Sequence, residues 1–202
     1  MRLPLSASWR AVPQAGIGYA ARVTFDLGQA RASLARTPSV LSQLLAGVPE
    51  PWLAARPADG EWSAHQVTCH LAYVEETDWM RRARMIREVG PMQPFPPVDH
   101  GDQTQRYAGI STDEVARRFG ELRQANLAAL DEMQLGEADL ELRGLHPSLG
   151  EVTMRNLLAT WVVHDHNHVA QLQGALSAYY VDEVGPWRSF LGILDGVQDH
   201  SA

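Results

Sequence analysis

Apolar positions along this chain recur every three or four residues in four long stretches, the period of a helix that buries one face. The first, from about residue 23 to 46, sets Val40, Leu41, Leu44 and Leu45 on its later stripe. Thr37-Pro38 inside it reads as an N-cap and a first-turn proline, which would kink or split that helix. The second stretch opens at Ser63, where Gln66 makes a capping-box pattern, and runs to about Glu88 before Gly90-Pro91. Val67, His70, Leu71, Val74 and Asp78 share its inner face. The third follows Ser111 and Glu114 to about Met133, with Val115, Phe119, Leu122 and Leu130 inward. The fourth begins after Thr153 and covers about 154 to 179, along Leu157, Leu158, Trp161, His164, His168, Leu172 and Ala175.

The connections read differently. PMQPFPPVDHGD, within about 90 to 110, predicts a non-helical loop, because its four prolines remove donors and disfavour helical conformations in their predecessors. LRGLHPSLGEV predicts a turn-rich link, and PWRSFLGILDGV a short closing helix from about 187 to 197. No strand pattern of comparable strength occurs. The expected fold is all-α: a four-helix antiparallel bundle over 23–198, preceded by an irregular segment 1–22 that carries Pro4, Pro13, Gly16 and Gly18.

Three histidines interrupt these stripes. In VVHDHNHVAQL, His164 and His168 lie four apart on one helical face, while His166 points roughly 160° away. His70 sits on the apolar face of the second helix, so three imidazoles can converge inside one bundle. Buried neutral histidines can satisfy themselves by hydrogen bonding, but one divalent cation would satisfy three together. The pattern is not HExxH: Asp165 follows His164 and no glutamate stands where a metalloprotease places its base, which argues against peptide hydrolysis. His65, His100, His146, His166 and His200 read as surface or loop residues, with His100 and His146 kept as outside candidates. Cys69 reads as a small buried residue rather than a nucleophile. Helical spacing also brings Tyr73, Asp78 and Trp161 near the pocket, and Asp165 or Glu75 could fix an imidazole tautomer.

Composition narrows the function classes. Of 202 residues, 45% are apolar and 20% charged, as in a globular protein, and the formal charge of −7 argues against nucleic-acid binding. Arg81, Arg82, Arg84 and Arg87 read as a charged helix face. A single cysteine excludes an intrachain disulfide or a cysteine-built cluster. The opening MRLPLSASWRAVPQ has no signal-peptide core, and no stretch reaches the roughly 18 to 20 apolar residues of a membrane span, so a cytoplasmic protein is expected.

With these residues in place, the chain resembles the DinB-like superfamily of four-helix metal-binding proteins. The stretches that carry the likeness are EWSAHQVTCHLAYVEETDW, GLHPSLGEVTMRNLLATWVVHDHNHVAQL and the tail GPWRSFLGIL, within roughly residues 30 to 195. The resemblance implies metal ligands at His70, His164 and His168. It also implies a homodimer, and a hydrolase-like or thiol-transferase-like activity using bacillithiol, mycothiol or glutathione. Three imidazoles suit zinc, nickel, copper and iron alike, with zinc or nickel expected, and leave a position for water or a small-molecule substrate. Two other readings make different predictions: a non-catalytic, metal-stabilised binding or dimerisation protein has a fully coordinated ion, and a structural bundle with satisfied histidines has none.

Overall fold

Side chains that accept from orphan amides start the four longest helices, three of them at the residues the sequence marks. The computed structural model describes residues 24–195 and residue 197. The expected irregular segment 1–22, the boundary at 198 and His200 lie outside the described residues. Asp26 caps α1 (Leu27–Leu45), accepting from Gln29 N at 2.7 Å. A short α2 (Glu50–Ala54) follows, which has too few residues for the periodicity to reveal. Ser63 and Gln66 form a complete capping box at α3 (Ala64–Thr77), and α4 (Trp79–Glu88) continues from it.

The structure departs from the sequence pattern at three places. Pro38 lies inside an unsplit α1, and Thr37 is a buried α1 residue rather than a cap. The second predicted helix is interrupted at Asp78 (φ −119, ψ −68), where Thr77 Oγ1 donates back to Tyr73 O at 2.8 Å, a bond that competes with the helical ladder and bends it. The 90–110 loop contains a 3-10 turn (Gly90–Met92) and a helix, α5 (His100–Arg106). The prolines all precede residue 98, and Asp99 Oδ1 accepts from Asp102 N at 3.2 Å, so nothing stops a helix beyond them.

Ser111 caps α6 (Thr112–Glu132), and Thr153 with Asn156 forms a capping box at α7 (Met154–Ala178). Before α7 comes an unexpected antiparallel hairpin, β1 (Arg143–His146) with β2 (Gly150–Thr153). Strands of four residues are too short for alternation to register against helical periodicity. Phe95 N donates to Leu145 O at 2.8 Å, and Gly144 lets the hairpin close on the bundle: a Cβ there would lie 2.6 Å from Phe95 Cζ and 2.7 Å from Ile86 Cγ1. The predicted closing helix is instead two 3-10 turns, Gly185–Phe190 and Gly192–Leu194.

The long helices form a four-helix bundle in which α1 packs on α6 and α7, and α3 on the same two. The histidine-bearing α3 and α7 are therefore neighbours. Their inner faces join one core with Leu34, Leu41, Leu71, Phe119, Leu158 and Trp161. Among the described residues, no helix is long and apolar enough to cross a membrane.

Candidate metal centre

The site grows out of two helical periodicities. His70 projects from α3 along the stripe of Val67, Leu71 and Val74, and His164 and His168 from α7 along that of Leu157, Trp161 and Leu172. Across the α3–α7 seam the three rings meet: one ring nitrogen from each lies within 4.8 Å of the others. The Nε2 atoms of His70 and His164 are 3.1 Å apart. His70 and His168 are buried and His164 partly so. Trp62 packs beside His70 and His168, with centroids at 4.9 and 6.1 Å, and the edge of His164 meets Trp79 at 5.1 Å.

Two glutamines orient the rings. His70 Nδ1 lies 3.1 Å from Gln103 Oε1 and His168 Nδ1 lies 2.8 Å from Gln171 Oε1. A carbonyl oxygen only accepts, so both Nδ1 atoms donate, and in the neutral ring that leaves the lone pair on Nε2. His164 Nδ1 is buried without a hydrogen-bond partner. Burial, then the neighbouring His168 and His70, pushes the His164 pKa down to about 2, and burial also lowers that of His168. Both rings are therefore neutral near pH 7, the form that coordinates metals. Nδ1–H bonds to the two glutamines on the outside and one nitrogen from each of three rings within 4.8 Å on the inside fit a divalent cation bound by three nitrogens.

The carboxylates nominated to hold those tautomers do something else. Arg123, buried on α6, sends Nη1 to Asp165 Oδ2 (2.6 Å) and Leu34 O (2.7 Å), and Nη2 to Asp165 Oδ1 (2.9 Å) and Glu75 Oε1 (2.7 Å). Thr37 Oγ1 donates to Asp165 Oδ2 at 2.6 Å, Trp161 Nε1 to Glu75 Oε1 at 2.7 Å, and Asn126 Nδ2 to Glu75 Oε2 at 2.9 Å. Burial raises the Glu75 carboxyl above the usual carboxylate range, against the opposing pull of Arg123. A buried ionic hub thus lies directly behind the histidines.

Other nominated residues are placed as follows. Tyr73 is buried and hydrogen-bonds to Asp102, Asp78 pairs with Arg82 at 2.6 Å, and Trp161 stacks on Trp79. His146 lies in the hairpin, its Nδ1 accepting from Ser148 N and Leu149 N, and is not in the cluster. His166 is exposed and bonds to Ser33. His65 is half-buried rather than superficial: its Nδ1 meets Thr112 Oγ1 at 2.9 Å and its Nε2 lies 3.4 Å from Cys69 Sγ. Burial pushes the Cys69 thiol up to about 12, which leaves it unreactive at neutral pH. Residues 100–106 were expected to be loop, so nothing marked Gln103. Gln171, three residues after His168 on one helical face, was within reach of the spacing argument.

Comparison with known proteins agrees with this architecture. YfiT from Bacillus subtilis, described as "a probable metal-dependent hydrolase with an unusual four-helix bundle topology", superposes with a TM-score of 0.67 at 21% identity, covering 80% of this chain and 93% of its own. TT2238, a four-helix bundle protein, has a TM-score of 0.48 at 25% identity, covering 72% of this chain and 97% of its own. No curated protein matches the sequence. The profile of the DinB superfamily matches residues 33–172, a span that contains all three clustered histidines. The chain belongs to the DinB superfamily.

Proposed function

We propose that His70, His164 and His168 bind one divalent metal ion, zinc or nickel, and that the chain is a metal-dependent enzyme acting on a small molecule. The observation that supports this most directly is the convergence of three imidazoles on the α3–α7 seam, two of them with Nδ1 held by a glutamine carbonyl. A bound dication supplies Lewis acidity, lowering the pKa of a water or thiol beside it so that a nucleophile exists at neutral pH. Gln103 and Gln171 orient the rings of His70 and His168, and the rings of Trp62 and Trp79 flank the site.

The reaction we favour is transfer of a low-molecular-weight thiol of the bacillithiol, mycothiol or glutathione type to an electrophilic substrate. Hydrolysis, suggested by the description of YfiT, uses the same ligand set with water as the nucleophile. We further propose a cytoplasmic homodimer. The experiment is a screen of thiol transfer and ester or amide hydrolysis with the zinc- and nickel-loaded chain beside His168→Ala. Turnover by the wild type, lost in a variant that keeps its fold, supports the proposal. Equal turnover in both, or stoichiometric metal with no turnover on either class, overturns the enzymatic reading.

A further inference from the structure

The buried hub behind the histidines has a geometry that apolar packing alone does not call for. We propose that Arg123 is a positioning residue for the histidine trio: by clamping Glu75 of α3 to Asp165 of α7, its guanidinium fixes the register of the two helices that carry the imidazoles. The inference rests on the metal-site reading above and deepens it.

The hub is complete at both carboxylates. Glu75 receives Arg123 and Trp161 on Oε1 and Asn126 on Oε2; Asp165 receives Arg123 on Oδ1, and Arg123 with Thr37 on Oδ2. Both the Glu75 and Asp165 side chains are at most 1% exposed, as is Arg123. Such a set is weak evidence of stabilisation, because apolar residues of similar volume often do as well or better; fixing a register is the best-attested use of buried polar groups. The positions match that use. Glu75 is five residues beyond His70, about 7.5 Å along α3, and Asp165 lies between His164 and His168 on α7. A slip of one turn between these helices, about 5.4 Å, exceeds the 4.8 Å span within which the three nitrogens meet. Apolar faces are non-directional and tolerate partial slips; a planar fork donating to two carboxylates does not.

Two full-length variants test this. Arg123→Lys keeps the charge but replaces the fork with a single nitrogen. The triple variant Arg123→Met, Glu75→Gln, Asp165→Asn removes the ions while leaving neutral groups of similar size, and it keeps the test open should Arg123→Lys fail to fold. Zinc affinity by chelator competition is expected to fall about 10- to 100-fold in both, with helical circular dichroism and cooperative unfolding retained. A second readout needs no metal. In the wild type, Overhauser contacts are expected between the His70 ring and those of His164 and His168, whose centroids lie 5.2 and 4.6 Å away, and these should weaken or split in the variants. Zinc affinity within about threefold of wild type together with unchanged ring contacts overturns the proposal. Full retention by Arg123→Lys also overturns it, since charge and not the fork would then suffice. A wild type that takes up no zinc removes the metal reading, and the ring contacts still decide the positioning role.

Discussion

Removing Arg123 alone should be far more damaging than removing the whole ionic hub. Arg123→Met deletes four hydrogen bonds, to Leu34 O, to both oxygens of Asp165 and to Glu75 Oε1, and leaves two carboxylates buried without a counter-ion. Breaking a buried pair from one side costs about 3–5 kcal/mol. For a chain of this length that lowers Tm by about 6–20 °C. The loss carries a pH signature. Burial already raises the Glu75 carboxyl in the wild type against the pull of Arg123, so without the guanidinium its folded-state pKa rises further above the unfolded value near 4. The folded variant then binds protons that the unfolded chain has released, so its stability falls as pH rises through that window and recovers on acidification. Urea unfolding followed by tryptophan fluorescence at pH 5, 6.5 and 8 should give a gap from wild type that is widest at pH 8 and narrower at pH 5. A loss below about 1 kcal/mol at pH 8, or a gap that does not change with pH, refutes the reasoning.

Other outcomes follow from single positions. Burial pushes the Asp78 carboxyl up from its ordinary 3.8 to about 6 despite Arg82 nearby. Ionised Asp78 therefore costs stability that is absent below its unfolded pKa and fully present above about 6, so Asp78→Asn should be more stable than wild type at pH 8 with the advantage gone by pH 4. Parallel pH profiles for the two proteins would contradict this. Gly144→Ala drives a methyl to 2.6 Å from Phe95 Cζ and should cost about 1–3 kcal/mol of unfolding free energy in urea; an unchanged midpoint would show that the hairpin can move aside. The Cys69 thiol, buried and pushed up to about 12, should resist a disulfide reagent at pH 8 in the native chain and react fully once unfolded, whereas rapid native labelling would place it at an accessible surface.

How far the sequence can be read depends on the range of the interaction. The long helices and their caps were legible because Ser63, Ser111 and Thr153 act locally and stripes such as Leu157 to Ala175 repeat over many turns. The histidine trio was legible for the same reason, since helical spacing places each ring on an inner face. The break at Asp78 was hidden because it rests on the Thr77 hydroxyl choosing a backbone carbonyl, and the hairpin because each strand has only four residues. Glu75 and Asp165 were rightly singled out but given the wrong partner. Arg123 comes from α6, 42 and 48 residues away, and a lone arginine in a helix gives no sign that it will be buried. Gln103 was out of reach for a related cause: proline chemistry dominated a segment whose second half is proline-free.

If His70, His164 and His168 form one metal site, metal content by elemental analysis will show it. Untagged wild-type chain, incubated with zinc or nickel and freed of excess, is to be compared with the His70→Ala, His164→Ala double variant, both checked for helical content. About one ion per chain in the wild type and almost none in a folded variant is the predicted result. No bound ion in either protein, or equal uptake in both, would contradict this and leave three imidazoles packed between two tryptophans.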